Sequence, residues 1–277
     1  MRIDSHQHFW IFDPVRDSWI NNKMALIQRD FLPQDLHPIL MENNFDACIA
    51  VQANQSEAEN DFLIKLAGEN SFIKGIVGWV NLIDENLQDR LDFYAQQPLV
   101  KGFRHVLQGE PQRDFMLQPA FKRGISLLHQ YNFTYDILIF NDQIAYAEEL
   151  VKLFPNQKFI IDHIAKPDIK NQEIASWKSQ IMAIAKYPNV SCKVSGMVTE
   201  AHWQNWNDED LIPYLDIVFE AFGIDRLLFG SDWPVCNIAG GYTKYLNTIN
   251  TYLKQFSKQE QSLFFGENAA QFYHLSK

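Results

Sequence analysis

Eight short apolar runs alternate with segments of helical periodicity along the 277 residues, and this pattern predicts an α/β fold, the (β/α)8 or TIM barrel. Such alternation favours parallel strands joined by right-handed crossovers, and about 250 residues is the usual size of a closed barrel. An open, doubly wound sheet is the alternative, but no G-x-G-x-x-G follows the first predicted strand. Because the chain contains no linker or low-complexity tract, we predict a single domain over residues 1–277.

The predicted strands are short runs of mainly apolar residues. The run 47–52 is apolar up to its last residue, which is typical of a strand buried on both faces. The eight strands are predicted over residues 3–8, 47–52, 73–82, 100–105, 134–140, 158–163, 190–194 and 226–232.

Helices are predicted where apolar residues recur three and four positions apart, as Leu36, Ile39 and Leu40 do. The segment between His8 and Phe31 is aromatic and contains proline, and we interpret it as a long loop that plugs one end of the fold, walls a pocket, or does both. The helices are predicted over residues 32–43, 57–69, 86–96, 119–131, 142–154, 174–186, 208–222, 243–256 and 259–273.

The composition excludes several classes of protein. The net charge is −10, from 24 basic and 34 acidic residues without a basic run, which argues against nucleic acid and anionic membranes as partners. No window resembles a signal peptide or an apolar membrane span. The three cysteines are widely spaced and fit buried free thiols better than disulfides or a zinc ribbon, so we expect a cytoplasmic protein. The oligomeric state is left open, a homo-oligomer included.

The first strand carries the earliest indication of chemistry. His6 and His8 lie two residues apart, so on a strand their imidazoles project from the same face. Two neighbouring imidazoles suit a metal ion or a polarised carbonyl oxygen. Two unrelated surface histidines would give the same pattern.

Polar residues collect at the predicted carboxyl ends of the strands, where barrel enzymes place their active sites. Lys193 must point either into the barrel or into an apolar layer under the helices, and the second placement is costly. Asp232 follows an apolar strand and suits a general base, a metal ligand or a helix N-cap. These strand ends carry His6, His8, Gln52, Trp79, Arg104, His105, Asp136, His163, Lys193 and Asp232.

Several motifs in a fixed order resemble the amidohydrolase superfamily, and within it the sugar lactonases that include L-fuconolactone and L-rhamnonolactone hydrolases and pyrone-dicarboxylate lactonase. The resemblance runs from the first strand to a tail motif and so covers nearly the whole chain. The motifs are DSHQHFW at 4–10, GWVNL at 78–82, KGFRH at 101–105, DHIAKP at 162–167, CKVSG at 192–196, FGSDWP at 229–234 and ENAA at 267–270.

The resemblance implies a reacting centre of His6, His8, His163 and Asp232, with Arg104 and Lys193 holding substrate oxygens. Two-metal members of the superfamily end the fifth strand with histidine and often the fourth with a carboxylated lysine. Here the fifth strand offers Asp136 and the fourth offers Arg104 and His105, so a bridged two-metal centre is not expected. Two alternatives stay open: one divalent ion, zinc by preference, on His6, His8 and Asp232, or no metal at all.

The implied reaction is hydrolysis of a sugar-acid lactone, with Asp232 taking a proton from the attacking water. Fixed cationic or N–H groups would stabilise the carbonyl oxygen as it gains charge. Further substrate contacts are expected from Trp10, Trp79 and Trp233 by stacking and from Gln52, Asn54, His105 and Lys193 by hydrogen bonding. A metal-dependent decarboxylase of the same barrel family and a non-catalytic sugar-acid binding protein are the alternatives.

Overall fold

A computed structural model describes residues 1–275 and contains one parallel sheet whose eight strands follow the order of the sequence. The bridge between Gln7 and Trp233 closes the ring, with the His8 backbone N–H donating to the Trp233 carbonyl at 2.7 Å. The predicted (β/α)8 barrel is therefore confirmed. The strands are β1 (Ile3–Gln7), β2 (Ala47–Val51), β3 (Ile73–Gly78), β4 (Val100–His105), β5 (Thr134–Ile137), β6 (Phe159–Ile161), β7 (Val190–Val194) and β8 (Leu227–Phe229).

Helices surround the barrel, and most lie within two residues of their predicted bounds. Helices α1 and α4 begin with proline. Backbone N–H groups in the first turn have no acceptor within the helix, so the N–H that proline lacks costs no hydrogen bond there. The α-helices are α1 (Pro33–Glu42), α2 (Glu57–Glu69), α3 (Leu87–Ala95), α4 (Pro119–Gln130), α5 (Ile144–Leu153), α6 (Ala175–Ile184), α7 (Asp208–Phe222), α8 (Gly241–Tyr252), α9 (Lys258–Ser262) and α10 (Asn268–Phe272). The predicted loop 9–31 contains a short 3-10 helix, Asn22–Ile27.

Four strands end two or more residues earlier than predicted: those predicted over 73–82, 134–140, 158–163 and 226–232. The difference has a physical cause in the backbone at two of these ends. Residues Asp162–Ala165 form a tight turn after β6, and Asp232 adopts φ +57° after β8. At these points the chain leaves the hydrogen-bonded ladder and turns over the mouth of the barrel.

The inside of the barrel is apolar at the amino ends of the strands and polar at their carboxyl ends. Helix α10 contributes Phe272, and Tyr273 follows it, both packing against residues such as Ile3, Ile49 and Ile160. This plug excludes water from below, so the buried polar side chains above it are shielded on that side. None of the helices within residues 1–275 is both long and apolar enough to cross a bilayer.

Gly102 on β4 leaves no room for a side chain beside β5. A Cβ added there would lie 2.1 Å from Thr134 Oγ1 and 2.6 Å from the Thr134 carbonyl oxygen, so backbone would have to move. We predict that Gly102→Ala lowers the free energy of unfolding by about 1–3 kcal/mol, measured by urea denaturation.

Gly68 provides the matched control, because it is exposed in α2 and no atom lies within 4 Å of its added Cβ. Gly68→Ala should leave stability unchanged or raise it by up to about 1 kcal/mol. Equal stability of Gly102→Ala and wild type would contradict the close packing of these two strands.

Candidate active site

Three strand ends bring four predicted residues together at the bottom of the barrel mouth. His8 Nε2 lies 3.3 Å from Asp232 Oδ1 and 3.2 Å from His6 Nε2. His163 Nε2 and His6 Nε2 lie 3.9 and 4.0 Å from the same carboxylate oxygen. All four side chains are at least nine-tenths buried, so their interactions are little screened by water.

A buried network of charges lies directly beneath this cluster. Lys193 is hydrogen-bonded to Asp136, and its Nζ lies 3.0 Å from Asp162 Oδ1. Arg104 Nη1 donates to Asp162 Oδ2 at 3.0 Å, and the Tyr273 hydroxyl donates to Asp136 Oδ2 at 3.0 Å. Two cations thus neutralise two carboxylates inside the barrel, which is what makes their burial tolerable.

The network also orients the ring of His6. Its Nδ1 lies 3.3 Å from Asp162 Oδ1 and 3.2 Å from Lys193 Nζ, while its Nε2 lies 3.3 Å from Arg104 Nη1. In the tautomer with the proton on Nδ1, beside Asp162, the Nε2 lone pair faces His8 Nε2 at 3.2 Å and Asp232 Oδ1 at 4.0 Å. A carboxylate behind an imidazole is a common device for fixing its tautomer.

The electrostatics favour neutral His6 and His163 beside an ionised Asp232. Burial lowers the pKa of His6 and of His163 well below their usual range. Burial acts to raise the pKa of Asp232, but neighbouring His163 and His8 outweigh it and leave the pKa below its ordinary value. Asp232 therefore carries its negative charge at neutral pH and is available to accept a proton.

The two carboxylates of the buried network, Asp136 and Asp162, differ in their pKa values. Burial raises the pKa of Asp136 to about 6 against the opposing charge of Lys193. Burial acts in the same direction on Asp162, but Lys193 and His6 outweigh it and hold the pKa of Asp162 well below its usual range. Asp162 is therefore the ionised carboxylate beside His6.

Strained backbone carries His163 into the site. Residues His163, Ile164, Ala165 and Lys166 all have left-handed φ angles between 47° and 59°, which we call the left-handed turn. A left-handed conformation costs about 1–2 kcal/mol per non-glycine residue, and such strain is concentrated at functional sites. Two contacts stabilise the turn: Trp177 Nε1 donates to the Ile164 carbonyl at 2.8 Å, and the Lys166 N–H donates to the His163 carbonyl at 2.8 Å.

Gly196 makes room for the His163 ring. Its φ is +59°, and an added Cβ would lie 2.4 Å from His163 Nδ1, so a side chain at this position would displace the imidazole. Ser195 Oγ lies 2.9 Å from the same Nδ1. When this hydroxyl donates, His163 carries its proton on Nε2, facing the cavity.

A cavity of about 520 Å³ opens above the cluster, a volume suited to a small-molecule ligand. His8, Arg104, His163 and Asp232 reach it from the barrel, and Asn54 reaches it from the loop after β2. Its walls come from loops and include Arg16, Asp17, Trp19, Met24, Lys166, Thr199, Glu200, Trp203, Val235 and Ile238.

Several residues predicted to bind substrate do not line this cavity. Lys193 and Gln52 are fully buried inside the barrel, where Gln52 Nε2 donates to the Arg104 carbonyl at 3.1 Å. Trp10 and Trp233 belong to an aromatic cluster; the ring of Trp233 lies 5.2 Å from that of Phe31. All four side chains therefore pack within the protein, and direct contact with a ligand in this cavity would require them to move.

Trp79 and His105 pack together at the ends of β3 and β4, also outside the lining of the cavity. Trp79 Nε1 lies 3.4 Å from His105 Nδ1, and His105 Nε2 lies 2.7 Å from Glu110 Oε1.

Sequence reasoning in turn missed Asp162, Lys166 and Glu200. Asp162 and Lys166 belong to the same DHIAKP motif as His163, and this motif was the signal that could have identified them. No sequence signal indicates Glu200, because it lies in an irregular loop.

The arrangement at Asp232 fits a divalent cation. His6 Nε2, His8 Nε2 and Asp232 Oδ1 lie within 4.8 Å of one another. His8 Nδ1 lies 2.8 Å from the Val51 carbonyl oxygen and must donate to it, which directs the lone pair of a neutral Nε2 at Asp232. Electron-rich atoms that face one another in this way are stabilised by a bound cation or by a second proton on His8.

The fold and this cluster define a (β/α)8-barrel enzyme with three histidines and an aspartate at the floor of its cavity. The sequence model of the amidohydrolase family matches residues 3–275, and the chain belongs to that family. The resemblance noted from the motifs is thereby confirmed.

The chain is similar to two curated L-fucono-1,5-lactonases. The protein from Burkholderia multivorans is 35% identical over 99% of this chain and 96% of its own length. The protein from Burkholderia ambifaria is 31% identical over 100% of this chain and 96% of its own length. A crystal structure of a Burkholderia multivorans amidohydrolase with bound zinc superimposes with a TM-score of 0.96, at 35% identity and with both chains fully covered.

The buried network predicts a specific loss of stability. Lys193→Met removes the cation between Asp136 and Asp162, so we expect the free energy of unfolding at pH 7 to fall by about 3–5 kcal/mol in urea denaturation. Adding Asp136→Asn to this variant removes one of the two buried carboxylates left without Lys193 and should restore part of the loss.

Lys170→Met serves as the control, because Lys170 is exposed at the surface of the same barrel end. It should change stability by less than about 0.5 kcal/mol. Equal effects of the two lysine substitutions would show that the buried network does not carry the charge balance inferred from it.

Proposed function

We propose that the chain hydrolyses a small sugar-acid lactone to the open acid. The observation that carries the proposal is the carboxylate oxygen of Asp232, which faces His8, His163 and His6 at 3.3, 3.9 and 4.0 Å on the floor of the cavity. The similarity to two L-fucono-1,5-lactonases along nearly the whole chain supports the same reaction class.

In the proposed mechanism, Asp232 accepts a proton from a water molecule, and the oxygen of that water bonds to the carbonyl carbon of the lactone ring. The carbonyl oxygen gains negative charge, which Arg104 and the Nε2–H of His163 stabilise from the cavity floor. The ring C–O bond then breaks, and Asp232 returns the proton to the departing hydroxyl oxygen. The product is a hydroxy acid that ionises at neutral pH and so releases one proton.

We further propose that His6, His8 and Asp232 hold one divalent cation, with zinc preferred because two imidazoles and a carboxylate are a common zinc donor set. When bound, such an ion polarises a carbonyl oxygen and lowers the pKa of a coordinated water molecule. The zinc in the Burkholderia multivorans crystal structure supports this preference.

We predict that dialysis against zinc and then buffer leaves about one zinc ion per chain, measured by elemental analysis. His8→Ala removes one donor and should reduce the bound zinc to a trace. His105→Ala, a histidine outside the cluster, should retain it. Absence of zinc from the wild-type protein after this treatment would contradict the proposed metal site.

We predict that Asp232→Asn lowers kcat by about 10²–10⁴-fold, because the amide cannot accept the proton of water. Turnover is measured as proton release in weakly buffered indicator with a panel of aldonolactones. Asp142→Asn, the same change at an exposed position, should leave kcat unaltered, and circular dichroism should show both variants folded.

Wild-type activity retained by Asp232→Asn would remove this residue from the mechanism. The wild-type protein is also tested with hydroxybenzoates. Release of carbon dioxide from them would support the decarboxylase alternative instead of the lactonase. Binding of lactones without any turnover would instead support the sugar-acid binding protein.

A further inference from the structure

Lys166 and Glu200 form a polar pair on the wall of the catalytic cavity. Lys166 Nζ lies 3.6 Å from Glu200 Oε1, and both side chains line the cavity together with His163 and Asp232. They stand where the cavity meets a second, larger groove of about 810 Å³, whose lining includes the same two residues. A ligand in the cavity is therefore within reach of both groups.

The pair has unused hydrogen-bonding capacity. A separation of 3.6 Å is too long for an N–H···O hydrogen bond, and Lys166 Nζ donates no hydrogen bond within residues 1–275. Glu200 accepts only one long hydrogen bond there, from Thr199 Oγ1 at 3.4 Å. Because the side chains are only 16% and 21% exposed, they have also lost much of their hydration, and a ligand that bonds to both would compensate that loss.

The left-handed turn ties this pair to the reacting centre. Lys166 is its last residue and His163 its first, and the hydrogen bond from the Lys166 N–H to the His163 carbonyl closes it. Trp177 holds the turn from outside the barrel through the Ile164 carbonyl. A ligand group bound by Lys166 is thus fixed in position relative to the His163 imidazole.

The charges of the cavity favour a neutral, hydroxyl-rich ligand over an anion. Each Arg or Lys side chain on its lining has a carboxylate partner, so no unpaired side-chain cation is left to attract a negatively charged group. The pairs are Arg16 with Asp17, Arg104 with Asp162, and Lys166 with Glu200. A hydroxyl group, by contrast, accepts from an ammonium and donates to a carboxylate.

We propose that Lys166 and Glu200 bind neighbouring hydroxyl groups of the lactone and determine which hydroxyl configuration is hydrolysed. The inference rests on the proposed lactonase function and adds to it the residues that select the substrate. A site built to hydrogen-bond a substrate hydroxyl discriminates strongly against the analogue that lacks it, because its own polar groups are then left unpaired.

The test measures kcat and KM of Glu200→Gln and Lys166→Met with aldonolactones that differ in one hydroxyl by inversion or removal. For the lactone preferred by the wild type, we expect kcat/KM to fall by about 10²-fold, mainly through KM. For the analogue that lacks the bound hydroxyl, variant and wild type should agree within about threefold. Glu173→Gln and Lys170→Met are the matched controls, because both residues line the groove and not the cavity.

The inference would be overturned if the two variants lost kcat/KM equally on the complete and the deoxy lactone, or if their kinetics matched those of the controls. In either case, lactone hydrolysis by the wild type would still support the proposed function. If the wild type leaves every lactone intact, the proposed function fails, and calorimetry with the intact lactones decides the inference. About tenfold weaker Kd in the two variants would support it, and unchanged Kd would refute it.

Discussion

The ion pairs beneath His6 are the constraint on which the rest of the site depends. Lys193 and Arg104 balance Asp136 and Asp162 in a space closed below by α10 and Tyr273. Isolated charges in such a place would be prohibitively costly, so all partners must be present at once. Their mutual geometry leaves Asp162 behind the His6 ring and directs the opposite nitrogen toward His8 and Asp232. The proposed chemistry thus relies also on Lys193, Asp136 and Asp162, none of which lines the cavity.

Much of the fold could be predicted from the sequence, because its signals are local. Each strand is a short apolar run, and alternation with helical periodicity suffices to predict parallel order. The convergence of His6, His8, His163 and Asp232 follows from the same logic, since every strand of a parallel barrel ends at one rim. The spacing of His6 and His8 on one face of β1 needed no knowledge of distant residues.

The remaining features depend on contacts that periodicity does not encode. Asp162 and His163 are adjacent, and in a regular strand they would point to opposite faces. The left-handed φ of His163 breaks this alternation, so Asp162 lies 3.3 Å from His6 while the His163 ring lies 4.4 Å from the His6 ring. From the sequence, Trp10 and Trp233 are likewise expected to stack on a ligand, but the packing of the long first loop buries them.

Closure of the ring through Gln7 and Trp233 has a consequence for synthesis on the ribosome. Strand β1 emerges first, whereas β8 and α10, which complete its surroundings, emerge near the end. Until then Asp136 lacks the Tyr273 hydroxyl and His6 lacks Asp232, so a nascent chain exposes buried-type polar groups without all their partners beside apolar strand edges. Such long-range pairing is slow, and an incomplete barrel is prone to associate with other chains. Chaperone capture of the unfinished polypeptide is the expected cellular counterpart of this topology.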